Sequence, residues 1–159
     1  MRKTTLPVLI LPDIRSALNV GAIFRTADAV GISKIYLVGY TPRPTDQFGR
    51  VQKDIAKAAL GAETWIPWEY KKTLIPVIRS LKKDGFTIVA IEQDAKSIDY
   101  KKIRKTAKMA FIIGPEVEGL SATILKECDS IAEIPMKGKK ESLNVSVAAG
   151  VALFRILDN

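Results

Sequence analysis

The sequence contains no histidine and a single cysteine, Cys128, among its 159 residues. The first absence removes Ser-His-Asp and Cys-His catalysis, together with His-ligated zinc, haem and non-haem iron. The second removes an internal disulfide and the cysteine pairs of a zinc site, and it fits a reducing, cytoplasmic compartment. Long apolar runs are missing too: none approaches the roughly 20 residues of a membrane span. The start, MRKTTLPVLILP, has two basic residues and a short apolar run. A proline stands at each end of that run and no small-residue cleavage site follows, so a first strand is expected there rather than a signal peptide. Acidic residues are in deficit, 17 Asp plus Glu against 25 Lys plus Arg, a formal charge of +8. That balance favours a polyanionic partner, of which nucleic acid is the commonest.

The 47% apolar and 26% charged content is that of a folded chain rather than a disordered one. The length predicts one domain, residues 1–159, with a substantial core. Short β-rich runs alternate with helical stretches. Strands are predicted at 6–11, 34–38, 65–68, 86–91, 109–113 and 130–134. Helices are predicted at 17–30, 51–60 (with Gly61 as C-terminal cap), 73–83, 121–128 and 142–157, and 99–108 reads as a basic connection. Alternation with continuous apolar strands predicts an α/β fold, a parallel sheet with helices on both faces. The last helix is apolar nearly all round, so it must be covered on more than one side; a homodimer through this C-terminal helix is the economical cover, and a core helix in a monomer is the alternative.

In open parallel sheets ligands bind beyond the carboxyl ends of the strands, and three strand-end segments carry chemistry. The first, from Asp13 to Asp28, includes Asn19, Gly21 and Arg25. Arg25 sits among core-type residues and needs either Asp28 at i+3 or an anion. Gly21 admits a ligand or another backbone at close range. The second, from Phe111 to Ser121, is a strand running into a loop with Gly114, Glu116, Glu118 and Gly119. Its spacing is neither a dinucleotide-binding nor a P-loop pattern. The third, from Ile134 to Gly150, joins a basic loop to Ser142, Asn144 and Ser146 at the head of the last helix. Capping explains one of those polar residues, by Ser142 or by Asn144, but not all three.

Taken in order, the three segments resemble the three sequence motifs of the SpoU (TrmH-type) branch of the SPOUT RNA methyltransferases. Asn19, Gly21 and Arg25 match Asn-x-Gly-x-x-x-Arg. Gly114, Glu116 and Gly119 match Gly-x-Glu-x-x-Gly. Residues 134–146 match Ile-Pro-Met-x-Gly…Ser-Leu-Asn-Val-Ser. The resemblance spans nearly the whole chain. It implies a trefoil knot near the C-terminus, S-adenosylmethionine as cofactor, a homodimer with its active site at the interface, and methyl transfer to a ribose 2′-hydroxyl of tRNA or rRNA without a metal. It further implies that Gly114, Gly119, Ile134, Met136 and Leu143 hold the cofactor with Ile91 and Glu92, and that Arg25 is the catalytic arginine. Asn19, Glu116, Ser142 and Asn144 complete that catalytic set.

On this reading the basic residues Arg15, Arg43, Arg50, Lys137, Lys139 and Lys140 grip RNA phosphates. The chain resembles the minimal single-domain members of the family, so no separate substrate-recognition domain is expected. The rival is a non-catalytic RNA-binding module that keeps the fold. Such a module would be expected to have lost Arg25 or the Ser142-x-Asn144 pair, and both are intact.

Overall fold

Two five-residue strands buried at every position, β1 (Val8–Pro12) and β6 (Met109–Ile113), pair in parallel and form the middle of a seven-stranded sheet. β2 (Lys34–Val38) and then β3 (Trp68–Lys71) extend it on one side. β4 (Thr87–Ile91), β7 (Ser130–Glu133) and the two-residue β5 (Ile98–Asp99) extend it on the other. The order is β3-β2-β1-β6-β4-β7-β5, with every pairing parallel. This computed structural model describes residues 7–158, so Leu6, the first residue of the predicted opening strand, lies outside the described residues.

Side chains alternate along a strand, and the two faces build separate cores. Leu9, Leu11, Phe111 and Val89 face α1 (Ala17–Val30), α2 (Lys53–Ala59) and α6 (Val145–Leu157), whose Phe24, Ile55 and Leu153 are fully buried. Val8, Ile10, Ile112 and Ile88 face α4 (Leu74–Lys83), with Val77, Ile78 and Leu81 beneath it. The short α5 (Ala122–Glu127) adds Ile124 to that side. Helices thus cover both faces, as the alternation predicted. Among the described residues no helix is long and apolar enough to cross a membrane.

Four local expectations need correction. The predicted strand at 65–68 is replaced by a helical turn, α3 (Ala62–Trp65), and the strand begins only after Pro67. Pro67 has no N–H to give a ladder, and its carbonyl accepts from Ile35 N instead. The cap of α2 is Leu60 in the left-handed region (φ 51°), and Gly61 (φ 100°) opens α3. The connection at 99–108 holds the end of β5 and a 3-10 turn, Tyr100–Lys102. The last helix starts at Val145, not at Ser142. Asn144 is its cap and accepts from the N–H groups of Ser146 and Val147, so Ser142 and Leu143 belong to the preceding loop.

Because every strand runs the same way, all the carboxyl ends lie along one edge of the sheet. β6, β4 and β7 are neighbours there, so the loops at 92–97, 114–121 and 134–144 meet over them.

Candidate functional site

Those loops enclose a cleft of about 350 Å³, within the size range of small-molecule sites. Ile91, Ile113, Ile134, Leu143 and Val145 give it apolar walls, and Glu116, Glu118, Glu141 and Ser142 give it a polar rim. Every residue expected to hold a cofactor lines it: Ile91, Glu92, Gly114, Gly119, Ile134, Met136 and Leu143.

The end of β4 fastens both flanking loops. Glu92 Oε2 accepts from Leu120 N at 2.9 Å, which pins the loop after β6, while its Oε1 accepts from Gln93 N at 3.0 Å. Gln93 Nε2 donates to the carbonyl of Glu141 at 2.6 Å, which pins the loop after β7. The turn itself leaves no spare room. Gly119 has φ 64°, and a Cβ there would stand 3.0 Å from Glu92 Oε2; one at Gly114 would stand 2.7 Å from Leu120 Cγ.

The three motifs meet through side-chain amides. Asn19 Nδ2 donates to Glu116 Oε1 at 3.4 Å, and Asn144 Nδ2 donates to Asn19 Oδ1 at 3.3 Å. Asn144 Oδ1 is occupied in capping α6 and in accepting from Ser146 Oγ at 2.6 Å. Asn19 and Asn144 therefore hold Glu116 at the rim without lining the cleft. Arg15 Nη2 donates to Glu118 Oε1 at 2.6 Å across the same two loops, and the Tyr40 hydroxyl and Glu118 raise the Arg15 guanidinium above its ordinary range.

Arg25 is not brought to this cleft. It lies on the exposed side of α1, and among the described residues it makes no hydrogen bond or ion pair. The expected alternative, pairing with Asp28, is absent: Asp28 Oδ1 accepts from Trp65 Nε1 at 2.7 Å. Arg25 stands six residues beyond Asn19, roughly 9 Å further along the helix axis. Gly21 serves a backbone rather than a ligand, since a Cβ there would lie 2.5 Å from the carbonyl oxygen of Ile55 in α2.

Of the expected RNA-binding residues, Lys137, Lys139 and Lys140 are exposed on the loop that borders the cleft. Arg43 and Arg50 stand apart from it, beyond β2. Arg43 lies over the Tyr70 ring at 4.1 Å, and Arg50 Nε is paired with Asp46 Oδ2 at 2.7 Å. Burial pushes the Cys128 thiol up to about 11, so it is no nucleophile near neutral pH.

Sequence reasoning missed Gln93 and Thr41. Gln93 follows directly on an apolar strand beside Glu92, and that position was the available signal. Thr41 is the one buried polar residue among the described ones. It accepts from Ile14 N and donates to Leu11 O, which sets the course of the chain into α1. Nothing in its neighbours marks it.

Residues 7–154 match the sequence model of the SpoU rRNA Methylase family. A relative from Archaeoglobus fulgidus, named "Uncharacterized tRNA/rRNA methyltransferase", is 34% identical over 149 residues, covering 94% of this chain and 63% of its own. The AdoMet-bound rRNA methyltransferase from Sinorhizobium meliloti superposes with a TM-score of 0.86 at 32% identity, over 97% of this chain and 56% of that one. The A. aeolicus TrmH/SpoU tRNA modifying enzyme gives 0.83 at 27% identity, over 99% and 76%. The chain spans about three fifths of the length of the curated relatives it matches.

Proposed function

The chain belongs to the SpoU rRNA Methylase family, and on that premise we propose that it methylates a ribose 2′-hydroxyl of tRNA or rRNA with S-adenosylmethionine. The observation that carries the proposal is the cleft: seven residues named from the sequence as cofactor ligands line one cavity at adjoining strand ends. Its composition fits the cofactor. Ile91, Ile134 and Leu143 offer apolar surface for a flat purine. Glu116, Glu118 and Glu141 offer negative charge toward a sulfonium and an ammonium group. When bound, the cofactor supplies an electrophilic methyl group on a positively charged sulfur.

The protein's own part is to place the ribose oxygen in line and to receive its proton. Glu116, at the rim and oriented by Asn19, is the carboxylate placed to receive it. Arg25 is not a base, since an arginine keeps its proton at any physiological pH. It clamps a phosphate of the target or stabilises the developing alkoxide. Ser142, exposed on the cleft wall, offers a hydroxyl to the ribose.

Arg25 reaches a reacting ribose only through a second copy of the chain. It sits on α1 beside Leu18, and α6 presents Val147, Val151 and Phe154 at i, i+4, i+7. These four apolar side chains are 37–50% exposed in the isolated chain. A homodimer joined along this stripe covers them and brings Arg25 of one protomer toward the cleft of its partner. The trefoil knot is part of the same reading, with the segment at 134–144 passing the loops that Glu92 and Gln93 tie to it. A cytoplasmic location is compatible with this reading and belongs to the same proposal.

Calorimetry with S-adenosylmethionine in the absence of metal is expected to show saturable binding. Absence of binding at millimolar cofactor would overturn the enzyme reading in favour of a non-catalytic RNA-binding module. Arg25→Ala is expected to abolish transfer while leaving cofactor affinity and dimer mass unchanged; retained transfer removes Arg25 from the mechanism. Mapping of 2′-O-methyl groups in total RNA with and without the gene identifies the target nucleotide.

A further inference from the structure

Beyond β2 the chain makes a turn that is built from its own bonds rather than from the core. Asp46 Oδ1 accepts from Phe48 N at 2.8 Å and from Arg50 N at 2.9 Å, and Oδ2 accepts from Arg50 Nε at 2.7 Å. Backbone bonds from Asp46 N to Arg50 O and from Gln52 N to Pro44 O close it, with a bridge between Thr45 and Val51. The result is a rigid turn that carries a largely exposed phenylalanine: Phe48 is 72% exposed. The Arg50 guanidinium lies 5.0 Å from the centre of the Phe48 ring and covers one face. The other face is open to solvent.

A single exposed apolar residue calls for no explanation. A preordered ring, backed by a cation and standing on a basic face, is a different object. Arg43 is stacked on Tyr70 beside it, and Lys53 and Lys57 on the following helix form no ion pair with any described residue. Arg50 has given its Nε to Asp46, so the turn offers a π-face more than a free charge. Aromatic faces among cations are the usual means of holding unpaired bases, because every base has a face to stack.

We propose that the turn at 43–51 is a stacking platform for an unpaired nucleobase, with the Phe48 ring held between that base and the Arg50 guanidinium. The proposal rests on the RNA-binding reading above and adds to it the part of the RNA that is read. The turn leaves the same sheet edge as the cleft, from a strand two places away from β6. The stacked base belongs to a loop or other single-stranded segment, rather than lying within a helix.

The test is fluorescence anisotropy with a short single-stranded RNA, the same strand carrying an abasic nucleotide at each position in turn, and a duplex of matching length. Phe48→Ala is expected to weaken single-strand binding roughly tenfold. Phe48→Trp is expected to restore it and to add a tryptophan signal quenched by RNA. For one abasic position, wild type and Phe48→Ala are expected to bind alike, and the duplex is expected not to distinguish them at all. Equal single-strand binding by wild type and Phe48→Ala overturns the platform while leaving the methyltransferase reading intact. A wild-type protein that binds S-adenosylmethionine but none of these RNAs overturns both. S-adenosylmethionine titration of Phe48→Ala, expected unchanged, shows that the variant is folded.

Discussion

Gly21 is glycine because α2 occupies the place a side chain would take. The nearest atoms to a Cβ there are backbone and the Cβ of Ala58, none of which can turn aside. Gly21→Ala is therefore expected to cost about 1–3 kcal/mol, as overpacking does, read as a lower midpoint in urea. Gly150→Ala, whose Cβ would meet only Thr26 Cγ2 at 3.7 Å, is the control and is expected to be neutral or slightly stabilising. That the second and third motifs share one cavity was legible at this scale, since short loops carry both of them to adjoining strand ends. The roles of Asn19 and Asn144 were only half legible. Both carry the expectation of a place at the reaction centre, and the structure adds that each bonds a neighbouring motif residue. Gln93 and Thr41 act on backbone atoms more than 25 positions away in the chain, and no local pattern reveals such a partner.

Among elements, α6 depends most on its first residue. Asn144 satisfies two N–H groups that have no partner within the helix. Asn144→Ala is expected to cost about 1 kcal/mol and to lower transfer further through the lost contact to Asn19. Asn144→Asp should recover the cap without that contact, which separates the two effects in melting and activity measurements. The outer strand β3 is held differently. Lys34 Nζ and Lys71 Nζ each lie 2.8 Å from a Glu69 oxygen. Lys34 first and Lys71 second lower the Glu69 carboxyl from 4.5 to about 2. A carboxyl depressed in the folded state stabilises fully above the unfolded value and ceases to as pH falls through the folded one. Its contribution is thus expected to fade between about pH 4.5 and pH 2, and to be small because the group is partly in water. Urea titrations across that window are expected to show a shallower loss of stability for Glu69→Gln than for wild type.

For the whole molecule the decisive quantity is the number of chains. The stripe of Leu18, Val147, Val151 and Phe154 predicts a dimer in light scattering, and Phe154→Asp is expected to yield a folded monomer that binds cofactor but does not transfer methyl. RNA affinity should fall steeply with salt, with a slope set by the phosphates that basic residues neutralise. What the residue string determined by itself was the class of fold and the chemistries closed to it: no histidine for a base, buried parallel strands, and three motifs at strand ends. Those are local properties, since a run of apolar residues or a motif carries its meaning wherever it is placed. Only the tertiary structure decided which motif residues share a cavity, that Glu92 and Gln93 tie two distant loops, and that Arg25 lies outside that cavity. The sheet places β4 between β6 and β7, in an order unlike that of the chain. Contacts made by that reordering join residues with no short-range relation in sequence.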